Sequence, residues 1–294
     1  TIRKPPHAVR DKKYAGMASP APALQDAADV FPFGATYAPF WRSQPPPRTE
    51  WADDLRRMAD LGFTAVNVFA AWHRIEKEEG RFDFDELDHV VACAARAGLS
   101  VSIKVAVFRS FSLYPPRWLM RAYRGEGIRD RDGKCQVGGL CRLPCIDDPL
   151  YQRQARRYFE ALVRHFADSG VMRHWMIWGE ATFPGGCFCR HTVGRFRAWL
   201  RERYGSVEAL NAAWNTESPS DYVSWSEIEP PLTQGHYGGY VPYLDWQQFL
   251  DANLTAHVAW LHDLVRAIDR RHPTLVETWL GSENESGGGK DEWR

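Results

Sequence analysis

The chain has 294 residues, 44% hydrophobic and 25% charged, enough for one large α/β domain with a sizeable core. Its 37 basic side chains balance 37 acidic ones, so no basic field exists to hold nucleic acid or an anionic membrane surface. No apolar run approaches the roughly 20 residues of a membrane span, and no apolar export core is seen near the N-terminus, so the expected location is the cytoplasm.

Residues 1–30 are rich in Pro, Ala and charge without a sustained period, and are expected to form a loose arm. Beyond them one pattern repeats: an apolar strand-like run, a polar loop, then an amphipathic helix. The first run is Phe33 to Tyr37, followed by a helix over about 50–61 that carries Leu55, Met58 and Leu61 and stops at Gly62. The second run, Thr64 to Ala70, leads to a helix over about 85–97 with Leu87, Val90, Val91 and Ala94 at helical spacing. The third run is Leu99 to Phe108, and a long loop with Gly, Pro and Cys follows it to Asp148. Asp148 and Pro149 read as the N-cap and first turn of a helix carrying Ala155, Phe159, Leu162, Val163 and Phe166. The fourth run, His174 to Trp178, precedes helical stretches at about 191–204 and 206–214 and then a polar, Pro-rich excursion. The longest helix is expected over about 244–270, before a fifth run, Thr274 to Leu280, and a polar, Gly-rich tail over 282–294.

Strands alternating with helices imply parallel pairing through right-handed crossovers, in an open doubly wound sheet or a (β/α)8 TIM barrel. The first strand–helix junction lacks a Gly-x-Gly-x-x-Gly, which weakens the nucleotide-binding version. In a barrel the chemistry sits on the loops after the strands, where Trp, Glu, Arg and Cys concentrate here. With 13 Trp, 11 Tyr and 15 Phe the chain could build a large core or a sugar cleft, since aromatic faces pack on the C–H faces of sugar rings. Five of the six cysteines fall in two loop clusters, Cys135, Cys141 and Cys145, then Cys187 and Cys189, which suggests a metal or free thiols rather than disulfides.

Glu180 ends the fourth run, in HWMIWGEATFP. Trp178 and Phe183 beside it would exclude water and keep a carboxyl protonated as a general acid. Position and company alone leave an ordinary strand-end carboxylate as the alternative.

The segment WGEATFPGGCFCRHTVGRFRAWLRERYGSVEALNAAWNT resembles the region around the acid/base Glu of family 42 glycoside hydrolases, the clan A β-galactosidases. The matching residues are Glu180, Cys187, Cys189, Tyr204, Gly205, Leu210, Asn211 and Trp214. The segment FAAWHRIEKEEGRFDFDELD is similar to the family's second-strand signature through Trp72, Glu76, Gly80, Phe82 and Phe84, and Pro115–Leu119 and Trp51 to Asn67 also fit. The resemblance implies a retaining hydrolase of β-galactosides or related β-glycosides, with Glu180 as acid/base and a carbohydrate as its partner. Arg142 is expected to contact the sugar, and Trp41, Trp72, Trp178, Phe183 and Glu277 are expected around the mouth of the cleft. The resemblance also implies structural zinc on Cys145, Cys187 and Cys189, with Cys141 as a candidate fourth ligand because structural zinc takes four. No organic cofactor is implied, and a homo-oligomer is left open.

The chain departs from the family in two places. Gly179 stands where the family has an Asn that hydrogen-bonds the sugar 2-hydroxyl, a contact that strengthens in the transition state. Thr192 stands at the third Cys of the metal loop. A retaining enzyme also needs a second carboxylate about 5–5.5 Å from the first. In this clan it ends the seventh strand, so the nucleophile is expected beyond Arg294, with Glu277 lining the pocket or serving structure. The resulting expectation is a barrel truncated after about five strand–helix units over residues 31–281. A non-catalytic carbohydrate-binding relative and a zinc-stabilised structural domain are the alternatives.

Overall fold

The computed structural model describes residues 33–39, 46–106, 115–122, 127–135, 137–138, 141–179, 186–214, 221–231 and 240–277. The order along the chain is β1 (Gly34–Tyr37), α1 (Arg48–Asp60), β2 (Ala65–Ala71), α2 (Trp72–Ile75), α3 (Asp85–Arg96), β3 (Ser100–Ala106), α4 (Arg117–Ala122), β4 (Val137–Gly138), β5 (Cys141–Arg142), α5 (Pro149–Phe166), β6 (Met172–Trp178), α6 (Arg190–Tyr204), α7 (Val207–Trp214), α8 (Tyr240–Arg266) and β7 (Thr274–Val276). Five strands form one sheet in the order β1-β2-β3-β6-β7. Its edge pairs, β1 with β2 and β6 with β7, are parallel. The small β4–β5 hairpin is antiparallel and stands apart from that sheet. The expected strands and helices are present, but α8 starts earlier than the periodicity predicts and β7 is shorter than the apolar run Thr274 to Leu280. That run continues into residues outside those described.

The described residues divide into two compact units, those up to 68 with 85–102 and 168–173 in one, and those of 69–84 and 103–167 with those from 174 onward in the other. In the first, β1 pairs with the start of β2 in the register Gly34↔Ala65 to Tyr37↔Val68. Helices α1 and α3 pack there through buried Leu55 and Trp51, whose ring lies tilted 5.7 Å from His89. Arg48 closes the pair with an ion pair to Asp85 at 2.7 Å, a surface contact that contributes little on its own.

In the second unit the Asp148 side chain caps α5 by accepting from Leu150 N at 2.7 Å, with Pro149 in the first turn. Tyr151, Ala155, Tyr158, Phe159, Leu162, Val163 and Phe166 form its buried stripe. Helices α6 and α8 pack through Phe196, whose ring lies 5.0 Å from Trp246 and 5.2 Å from Phe249. Strand β3 alternates: Val101, Ile103 and Val105 are buried on one face, and Ser102 and Lys104 take the other. That alternation aims Lys104 away from the aliphatic side.

Candidate active site at the strand ends

Three strands bring chemistry together. The backbone N–H of Glu277, just past β7, donates to the carbonyl of Trp178 at the end of β6 (2.9 Å). Glu277 therefore sits beside the residue pair Trp178–Gly179 that precedes Glu180 in the sequence. From β3, the Lys104 ammonium pairs with Oε2 of Glu277 and lies 4.9 Å from the centroid of the Phe69 ring. The Lys104 side chain is 8% exposed and that of Glu277 is 43% exposed, so the cation is enclosed while its carboxylate opens to solvent. A Cβ built on Gly179 would overlap Cε and Nζ of Lys104 and come 3.1 Å from its Cδ. Lys104 thus fills the space that a side chain at position 179 would need.

Of the other expected site residues, Trp178 is buried at the end of β6. Trp72 is a correction. Expected to line the sugar cleft, it is fully buried, stacked 5.3 Å from Tyr158 and tilted 5.9 Å from Tyr151. Its indole N–H donates to Glu76 Oε2 at 2.6 Å, so neither its face nor its polar edge is left for a sugar. Glu180, Trp41 and Phe183 lie outside the described residues, as do the side chains of Arg142 and Cys141.

The motif residues behind the family resemblance are largely buttresses. Glu76, fully buried, also accepts from Gly80 N (2.7 Å) and pairs with Arg157 (2.6 Å), and its carbonyl accepts from Trp118 Nε1 (2.9 Å). Tyr204 and Trp214 both donate to Asp245, at 2.6 and 2.7 Å. Asn211 holds residue 222 through both backbone groups, at 2.8 and 3.1 Å. Sequence reasoning missed the acceptors in these contacts. A buried acid such as Asp245 looks like any helix-surface carboxylate until its neighbours are known.

Cys145, Cys187 and Cys189 meet as expected. Their sulfurs lie within 4.8 Å of one another and all three residues are buried. A tetrahedral zinc with Zn–S bonds of about 2.3 Å needs sulfurs about 3.8 Å apart, so small shifts close the site. Gly186, at φ +75, admits the loop: a Cβ there would come 2.6 Å from Trp246 and 2.8 Å from Leu250. The sulfur of Cys187 accepts the backbone N–H groups of Arg129 and Cys189, both at 3.4 Å. Hydrogen bonds from Cys145 and Cys187 hold the Cys189 thiol well below its usual range, whereas Cys145, which donates to both neighbours and is buried, is pushed up. The closeness of three buried sulfurs suits a cation, whose charge would favour the thiolate form of each. The fourth corner is different. Thr192 Oγ1 lies 3.4 Å from Cys145 Sγ and 3.6 Å from Cys189 Sγ, and its hydroxyl donates to Asp147 at 2.7 Å. Among the described residues the cluster offers three sulfurs and a hydroxyl.

Asp147 is the hub behind that corner. Its buried carboxylate also meets His257 Nε2 (2.6 Å), Asn253 Nδ2 (3.1 Å to each oxygen) and Arg195 Nε (3.2 Å). Burial alone would raise its pKa, but the contacts from His257, Thr192 and Arg195 bring it below the ordinary value.

The glycoside hydrolase family described as "Beta-galactosidase" matches residues 37–286. The β-galactosidase BgaA of a Thermus species is 31% identical over 228 residues, 76% of this chain and 33% of that protein. LacZ of Heyndrickxia coagulans is 26% identical over 230 residues, 77% of this chain and 34% of that protein. The chain therefore spans about a third of the length of these relatives. Among solved structures, the cold-adapted β-galactosidase of Rahnella sp. R3 superposes with a TM-score of 0.71 at 28% identity, covering 83% of this chain and 35% of that one. The catalytic domain of a Paenibacillus polymyxa β-amylase, at 18% identity and a TM-score of 0.70, covers 89% of this chain and 72% of its own and shares the fold alone. The five-stranded parallel sheet with its alternating helices is thus part of a TIM barrel, and the chain belongs to glycoside hydrolase family 42.

Proposed function

We propose that this chain supplies the first part of the catalytic barrel of a retaining glycoside hydrolase acting on β-galactosides, with Glu180 as the acid/base. One observation carries the reading: Glu180 follows the last residues of β6, where the backbone of Glu277 and the cation of Lys104 converge on Trp178 and Gly179. In a barrel that end of the sheet holds the chemistry. Glu180 would protonate the glycosidic oxygen as the bond breaks, then remove a proton from the water that hydrolyses the glycosyl-enzyme. The nucleophile is assigned to a carboxylate on a later strand rather than to Glu277, because Glu277 follows the fifth strand of the sheet, whereas the family resemblance implies a nucleophile at the end of the seventh. Cys145, Cys187 and Cys189 would hold structural zinc, tying the loop before α5 to the start of α6.

The test is hydrolysis of an aryl β-galactoside by the complete protein and its Glu180→Gln variant. General acid–base catalysis contributes about 10²–10⁴-fold, so the variant should lose at least about a hundredfold in kcat. Unchanged turnover overturns the assignment. Gly179 favours a second reading, carbohydrate binding without turnover, and the same assay separates the two: sugar binding with no detectable hydrolysis by the unaltered protein supports it.

A further inference from the structure

We propose that Lys104 and Glu277 form a hydroxyl-recognising pair in the sugar site, and that Gly179 is required to make room for it. The inference rests on placing the sugar site at the strand ends.

Lys104 emerges on the face of β3 opposite the aliphatic Val101, Ile103 and Val105. Its side chain crosses directly over the backbone at Gly179, in volume that any Cβ would claim. A lysine stem is flexible and could leave such a place, yet here the ammonium is anchored by Glu277 and by the Phe69 ring. An ion pair that served packing alone would be costly, because both charges must be withdrawn from water. Glu277 remains 43% exposed, so this pair keeps one side open.

The chemistry of that open side identifies a ligand class. An ammonium carries three donors and no acceptor, and a carboxylate offers acceptors only. Among the described residues the ammonium meets Glu277 and the Phe69 ring, so a ligand entering beside the exposed carboxylate would meet its remaining N–H groups together with carboxylate acceptors. Adjacent hydroxyls of a neutral sugar need that combination of donors and acceptors. A sugar carboxylate would gain from Lys104 but be repelled by Glu277, so the neutral pair selects against uronic acids. Lys104 and Glu277 are specificity-determining residues in this scheme, and Gly179 is a positioning residue that acts through Lys104.

The test is a mutant cycle in the complete protein, read by binding of galactose and of galacturonate and by the thermal midpoint. Lys104→Ala should weaken galactose binding tenfold or more. Gly179→Ala should do the same by expelling Lys104, and the double variant should bind no worse than either single one. The midpoint loss from Gly179→Ala should shrink in the Lys104→Ala background, where the clash is gone. Glu277→Gln should shift the ratio of affinities toward galacturonate at least fivefold. Galactose binding within twofold of the unaltered protein in folded Lys104→Ala, or in Lys104→Met if the first fails to fold, overturns the proposal. So do additive losses in the double variant. Binding is read without turnover, so failure of Glu180 as acid/base leaves this result intact, and the reverse also holds.

Discussion

Removing the carboxylate of Asp147 is the sharpest test of how the second unit is held. Four side chains converge on it: Thr192, His257, Asn253 and Arg195, at 2.6 to 3.2 Å. In Asp147→Ala, Arg195 can turn to water, since its side chain is 43% exposed. Thr192 can turn toward the nearby sulfurs. His257 and Asn253 are each 3% exposed and lose the carboxylate that accepts from them, although Asn253 Oδ1 still accepts from Arg195 at 2.6 Å. Each orphaned buried group costs about 1–3 kcal/mol, more where the lost partner was charged, and two groups are orphaned. We therefore expect a loss of about 3–5 kcal/mol. For a domain this large that lowers the thermal midpoint by about 6–20 °C, at about 2–4 °C per kcal/mol. Asp147→Asn, which retains one acceptor, should fall between the two. The assay is thermal unfolding followed by near-ultraviolet circular dichroism, which reports the packed aromatics of α6 and α8. A midpoint for Asp147→Ala within about 2 °C of the unaltered protein would refute the reasoning, because the four donors would then be satisfied without the carboxylate.

Other predictions follow from the same geometry. Asp269 has its pKa lowered to about 2: burial would raise it, but bonds from the Trp175 indole, from His272 and from the backbone N–H groups of Arg271 and His272 more than offset that. A depressed carboxylate stabilises the fold above its unfolded value of 3.8 and loses that contribution as the pH falls toward 2. The midpoint should drop over that window, and the drop should be smaller in Asp269→Asn. Elemental analysis of protein grown with zinc should find about one zinc per chain, and Cys187→Ser should release it and lower the midpoint; an unchanged zinc content would exclude the cluster as the site. Among the described residues β1 and β7 each pair on one side only, so the 294-residue chain expressed alone should self-associate through unpaired edges. A monodisperse monomer by light scattering would contradict that.

The sequence by itself determined the alternation of strands and helices, because apolar runs and helical stripes are local patterns set by burial on one face or both. The family resemblance carried by its motifs also grouped Cys145 with Cys187 and Cys189, whose loops follow strands at the same end of the sheet. The motif residues Tyr204, Asn211 and Trp214 marked the family without revealing that they serve Asp245 and the backbone at residue 222. Only the tertiary structure decided which polar side chains share a space. Lys104 and Glu277 are 173 positions apart and paired, and neither the alternation of β3 nor the brevity of β7 announces it. Trp72 went from expected cleft wall to core for the same reason: its indole N–H found Glu76 one helical turn away, and Tyr158 came from a different helix. Periodicity records how a segment meets a surface, whereas a site depends on which segments meet each other. That is why Gly179 reads in the sequence as a lost side chain and in the structure as the space occupied by Lys104.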